Sequence, residues 1–124
     1  MGRRDRNDQQ WKDTRDKVYR RDNNFCRLCK VISPQEALML QKNANMQLNI
    51  IDPAHIIPVS EASHMCYDVD NIVCLNRYSH HMLEECKHPI YGSPISKEEE
   101  MDWWKRIVGD DLLEKLQKRK RSKS

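Results

Sequence analysis

Apolar positions along this chain follow two periods, and each change of period marks an element. Over residues 8–22, Trp11, Thr14/Arg15 and Val18/Tyr19 recur at helical spacing between charged positions, so one narrow stripe faces a core. Asn7 or Asp8 can cap this helix, and Asp22-Asn23-Asn24 ends it with turn formers. Phe25-Cys26-Arg27-Leu28-Cys29-Lys30 reads as a tight knuckle. Ser33-Pro34-Gln35-Glu36 is a capping box with Pro at the first helical position, predicting a helix over about 34–45. The run from Leu48 to Val59 is rich in Ile and Val and predicts a strand region broken by Pro53 and Pro58. A polar loop, Ser60 to Asp70, leads to a second short strand, Asn71 to Leu75. Helical spacing returns over about Arg77–Cys86 and stops before His88-Pro89.

Ile90 to Pro94 is a turn, and Ser96 with Glu99 forms a second capping box. It opens a C-terminal helix over 96–116 carrying Trp103, Trp104, Ile107, Val108, Leu112, Leu113 and Leu116. Gly109 interrupts that stripe, so two helical pieces are expected. Trp103 and Trp104 are expected to pack this helix on the core, with one of them partly exposed because neighbours on a helix diverge by about 100°. The basic end, 117–124, is expected to fray. The pattern describes one α+β domain without internal repeats.

Composition narrows the picture. The chain has 124 residues, 33% of them charged and 38% hydrophobic, with a mean hydropathy of -0.92. A chain of this length buries roughly two thirds of its unfolded surface, so its core is modest and a metal or partner would help hold it. No apolar run approaches the roughly 18–20 residues that span a bilayer, and MGRRDRNDQQ lacks the apolar stretch of a secretory signal. A cytoplasmic protein with no membrane partner is expected. The five cysteines are an odd number, which suits reduced thiols serving as metal ligands or small buried hydrophobes better than disulfides.

Charge is segregated behind a net value of +3. Residues 1–21 hold eight Lys/Arg against four Asp, and residues 115–124 hold six and no acid. Residues 22–114 hold eight basic and fifteen acidic side chains. An acidic middle between basic arms suits a divalent-cation site flanked by segments that grip a phosphate backbone, although solvated tails would read the same way.

The chemistry concentrates in residues 52–84. His55 lies on one strand, Asn71 opens the next, and His80 and Glu84 share a face of the following helix, where both can reach one ion. A neutral imidazole can take a proton from water near neutral pH, and a divalent cation opposite it can polarise a phosphoryl oxygen. These are the minimal parts for phosphodiester hydrolysis.

In order and spacing, Trp11, Arg21-Asp22, Cys26-x-x-Cys29, His55-Ile56-Ile57-Pro58, Asn71-Ile72-Val73 and His80 resemble the HNH endonucleases. Leu75-Asn76-Arg77-Tyr78-Ser79-His80, followed by the Trp103-Trp104 helix, resembles the small bacteriophage members. The resemblance covers roughly residues 11–108 and implies a ββα-metal (His-Me finger) core with flanking helices. It implies His55 as the base that activates water, Asn71 as the residue pinning the loop between the strands, and His80 as a metal ligand. Glu84 sits where many members place a second helical ligand. Arg77 is a candidate phosphate contact by proximity, and Lys118, Arg119, Lys120 and Arg121 are candidate DNA contacts by charge.

Two departures stand out. Many members carry Asp or His directly before the base as a metal ligand, and this chain has Ala54; Asp52, two residues earlier on the same strand face, is the candidate substitute. Many also pair the first CxxC with a second one to close a zinc site, and here those positions are Asn76 and Ser79. Structural Zn²⁺ at Cys26 and Cys29 would need Cys66, Cys74 or Cys86, and no spacing selects among them; the alternative is two thiols packed beside Phe25. A thioredoxin-type redox pair would need a βαβ unit, which is missing.

The expectation is a metal-dependent (Mg²⁺ or Mn²⁺) endonuclease acting on double-stranded DNA. The resemblance implies a phage or prophage setting with terminase as a packaging partner. A non-catalytic nucleic-acid-binding module on a degenerate HNH fold is the alternative, favoured by Ala54. A site-specific homing or restriction enzyme is disfavoured by the lack of room for a specificity domain.

Overall fold

A computed structural model describes residues 8–122. The basic segment 1–7, with Asn7 as a cap, and residues 123–124 lie outside the described residues. The elements are α1 (Asp8–Asp22), α2 (Pro34–Ala44), β1 (Ile51–His55), β2 (Ile72–Asn76), α3 (Arg77–Glu84), α4 (Lys97–Val108) and α5 (Asp110–Arg121), with short 3-10 turns between them. Helices and a two-stranded antiparallel sheet make this a mixed α+β structure. No helix among the described residues is long and apolar enough to cross a membrane.

Strands β1 and β2 pair from Ile51 opposite Asn76 to His55 opposite Ile72, and α3 leaves β2 without an intervening residue. Every residue of β2 is buried because both faces of the hairpin are covered. On one side Ile72 and Cys74 pack with Val18 of α1, joined by Trp11 and Tyr19. On the other, Val73, Leu75 and Ala54 join the main core with Leu28, Leu40, Leu83, Trp103, Trp104 and Leu116.

The Arg21-Asp22 pair fastens α1 to this hairpin. The buried Asp22 carboxylate accepts from Arg21 Nε at 2.9 Å, Arg21 Nη2 at 3.0 Å, Arg27 Nη1 at 3.2 Å and the Cys74 backbone N–H at 3.0 Å. Burial pushes the Asp22 carboxyl up, but these donors outweigh it and hold the group below its ordinary value. Arg21 also donates to the carbonyls of Val69 and Ile72, so a single guanidinium ties helix, loop and strand together.

Local chemistry formed where the sequence signals were local. Both capping boxes, Ser33/Glu36 and Ser96/Glu99, are made on both arms. Gly109 separates α4 from α5 at φ 93, in the region only glycine enters without strain. Asn23 and Asn24, both at φ 56, end α1.

Five expectations need correction. The strand region 48–59 shrinks to Ile51–His55, because Asn45–Asn49 forms a 3-10 turn and the chain leaves the sheet after His55. Pro53 does not break the strand: β1 is an edge, so the missing N–H can face away from β2. Helix α3 ends at Glu84, two residues short of Cys86, whose backbone turns to φ 58. The helix expected over 96–116 continues through Arg121, and Trp103 and Trp104 are both buried.

Candidate metal and catalytic site

Asn71 lies in the 3-10 turn that delivers the chain into β2, and it is fully buried. Its Oδ1 accepts from the Ile57 N–H at 2.9 Å, and its Nδ2 donates to the Ile57 carbonyl at 3.0 Å. Its own carbonyl accepts from the Ile56 N–H at 2.8 Å. Three hydrogen bonds onto two consecutive residues hold the chain immediately after His55. Asn71 therefore acts on the backbone of Ile56 and Ile57.

His55, the last residue of β1, has its Nε2 3.0 Å from the carbonyl oxygen of Cys66. A carbonyl only accepts, so Nε2 carries the hydrogen and the lone pair of the neutral ring is on Nδ1. Trp11 stacks on the imidazole with centroids 5.6 Å apart and planes 17° from parallel. One ring is thus oriented by β1, the 56–71 loop and α1 together.

His80 projects from the first turn of α3, and each of its nitrogens meets a carboxylate. Nδ1 is 3.1 Å from Asp52 Oδ2, and Nε2 is 3.4 Å from Glu84 Oε2. Asp52 is shared, because Arg77 grips it through Nε at 3.2 Å and Nη2 at 3.1 Å. Burial pushes the Asp52 carboxyl up, and the hydrogen bonds from Arg77 and His80 bring it below its ordinary value. Asp52, His80 and His81 form a group of three donors whose ligand atoms lie within 4.8 Å of one another, close enough to hold one ion. Glu84, with 62% of its side chain exposed, stands on the opposite side of the His80 ring.

A cavity of about 470 Å³ brings these residues to one space. His55 and His80 both line it, with Glu61, Glu84 and Glu100 supplying acid and Lys97 the one cation. The sequence-based site residues His55, His80 and Glu84 meet there, while Asn71 and Asp52 lie behind its walls as supports. His81, which the motif pattern does not include, is exposed on α3 with its ring centroid 5.6 Å from that of His80.

Two groups of expected residues behave differently. Cys26 meets Asn76, which in turn meets Ser79, and these are the two positions where a second cysteine pair would stand. Cys26 Sγ accepts from the Asn76 N–H at 3.2 Å and Asn76 Nδ2 at 3.4 Å, and Asn76 Nδ2 also donates to Ser79 Oγ at 3.0 Å. The hydrogen bond from Cys29, aided by those from Asn76, lowers the Cys26 thiol to about 6 against the opposing effect of burial. Cys74 faces the other side of the hairpin with Val18, and Cys86 Sγ donates to the Ile95 carbonyl. Among the described residues no third His, Cys, Asp or Glu joins Cys26 and Cys29 in a metal-sized group, so the zinc expectation gives way to a hydrogen-bonded knot.

Three of the basic candidates are also engaged within the chain. Arg77 is held by Asp52. Arg119 pairs with Asp68 at 2.8 Å and Asp70 at 3.0 Å, and Lys120 with Glu61 at 2.9 Å. Lys118 to Arg121 thus belong to α5, where a frayed tail was expected, and Arg119 and Lys120 dock that helix on the 56–71 loop.

No family model, curated protein or solved structure matches the chain.

Proposed function

We propose that this chain is a metal-dependent endonuclease of HNH type, hydrolysing DNA phosphodiester bonds on a ββα-metal core. The carrying observation is the pairing of His55, its hydrogen fixed on Nε2 by the Cys66 carbonyl, with His80 across one cavity. That arrangement supports a base and a cation ligand facing the same substrate atom.

The donor set suits a divalent cation. Asp52 accepts from Nδ1 of His80, which leaves the lone pair of the neutral ring on Nε2, next to a Glu84 oxygen. A lone pair and a carboxylate oxygen at 3.4 Å repel unless a proton or a cation lies between them. His80 Nε2 and Glu84 would therefore hold the ion, with Asp52 orienting the ring. The bidentate grip of Arg77 on Asp52 opposes a second cation at that carboxylate. A bound Mg²⁺ or Mn²⁺ would polarise the phosphoryl oxygen and stabilise charge on the leaving 3′-oxygen.

The protein's own residues supply the rest. His55 Nδ1 accepts the proton of the attacking water, and the Cys66 carbonyl steadies the imidazolium that forms. Asn71 keeps the loop from drifting, and the Trp11 face limits rotation of the ring. Double-stranded DNA as substrate, with a phage packaging setting and terminase as partner, follows from the resemblance of the motifs.

A non-catalytic nucleic-acid-binding module is the second reading. It is favoured by Ala54, which is buried in the core and offers no ligand. Incubating the full chain with supercoiled plasmid in Mg²⁺ or Mn²⁺ separates the two. Nicked or linear product is expected from the wild type and none from His55→Ala. Cleavage of equal rate by His55→Ala would overturn the proposed mechanism, and an inert wild type would favour the binding module.

A further inference from the structure

We infer that Lys97 forms a phosphodiester-binding subsite at the mouth of the His55–His80 cavity; the inference rests on the nuclease reading above. A phosphodiester entering this cavity meets three carboxylates, those of Glu61, Glu84 and Glu100. An anion needs at least one positive partner there besides the metal. Three of the basic residues singled out by sequence are taken: Arg77 by Asp52, Arg119 by Asp68 and Asp70, and Lys120 by Glu61, all at 2.8–3.1 Å, and the other two, Lys118 and Arg121, do not line the cavity.

Lys97 differs from them in placement and in engagement. It lines the cavity itself, as the first residue of α4, and its backbone is fixed by the Ser96/Glu99 capping box. Its side chain is 83% exposed, and among the described residues its ammonium pairs only with Glu100, at a long 3.8 Å. An exposed lysine pair at that distance contributes little to stability, so the ammonium can exchange Glu100 for a phosphate oxygen at small cost. A compact ammonium on a flexible four-carbon stem suits a non-bridging phosphate oxygen, which offers no fixed bidentate geometry. Glu100 then serves as the resting counter-ion when the cavity holds no substrate.

The test uses the full chain and a fluorescein-labelled DNA duplex, with His55→Ala as the background so that the duplex survives. Anisotropy titrations across salt compare Lys97→Ala, Lys97→Arg and Lys105→Ala, the last an exposed lysine of the same helix outside this cavity. Lys97→Ala is expected to lower affinity by about three- to tenfold and to reduce the slope of log K against log salt by about one. Lys97→Arg should restore most of both, and Lys105→Ala should change neither. In plasmid cleavage with an intact His55, Lys97→Ala should raise KM by a similar factor with kcat nearly unchanged. Wild-type affinity and slope in Lys97→Ala would overturn the subsite while leaving the nuclease reading standing. Equal losses in Lys97→Ala and Lys105→Ala would also overturn it, by showing diffuse attraction. A wild type that neither binds nor cleaves DNA removes both.

Discussion

Replacing Asn71 tests the support on which the site depends. In Asn71→Ala, the Ile57 N–H and carbonyl both lose their side-chain partner, and Asn71 and Ile57 are buried too deeply for water to replace it freely. A buried group left unpaired costs about 1–3 kcal/mol, so two of them set an expected loss of about 2–6 kcal/mol. Small domains have only about 5–15 kcal/mol in total, so the variant should fold with a clearly lower urea midpoint. Asn71→Asp dissects the pair. Its carboxylate still accepts from the Ile57 N–H but faces the Ile57 carbonyl where the amide donated, at 3.0 Å. Protonation restores a donor, so the folded-state pKa of this new carboxyl lies above its unfolded value. Its stabilising contribution is complete below the unfolded pKa and is lost as pH rises through the folded one. The deficit of Asn71→Asp relative to wild type should therefore shrink from pH 7 toward pH 4. Urea unfolding followed by tryptophan fluorescence reads both variants at each pH. A loss under about 1 kcal/mol for Asn71→Ala, or a pH-independent deficit for Asn71→Asp, would refute the clamp.

Two further outcomes follow from neighbouring contacts. Asp52→Ala removes the acceptor that orients His80, so divalent-ion affinity in calorimetry should fall by about 10- to 100-fold, as supports of metal-bound imidazoles usually show; an unchanged affinity removes Asp52 from the site. Cys26 should ionise near pH 6, read as thiolate absorbance at 240 nm that disappears in Cys26→Ser. Because Cys29 is shifted upward, the folded pair holds one proton above about pH 6, whereas the unfolded chain holds two until near the ordinary thiol value of 9.0. Stability relative to Cys26→Ser should thus rise with pH between those values and fall beyond them, and a flat difference would sink the thiolate assignment.

The sequence determined what neighbours in the chain can decide. The helical stripe through Trp11, Thr14 and Val18, the two capping boxes and the Gly109 break depend on residues within a few positions of one another, and each formed as read. His55, Asn71 and His80 also lie in one small region, because a hairpin followed directly by a helix leaves few ways to arrange three such residues. Tertiary structure decided the partners. The Cys66 carbonyl that sets the His55 tautomer, the Trp11 ring stacked on it and the Arg77 grip on Asp52 join residues 11 to 44 positions apart, which periodicity does not register. The same holds for charge: the basic C-terminal segment is a helix because Asp68, Asp70 and Glu61 are waiting for it across the fold. Composition could count those charges, but only packing could say that Arg119 and Lys120 are already neutralised while Lys97 faces the cavity, because ion pairing depends on distance in space.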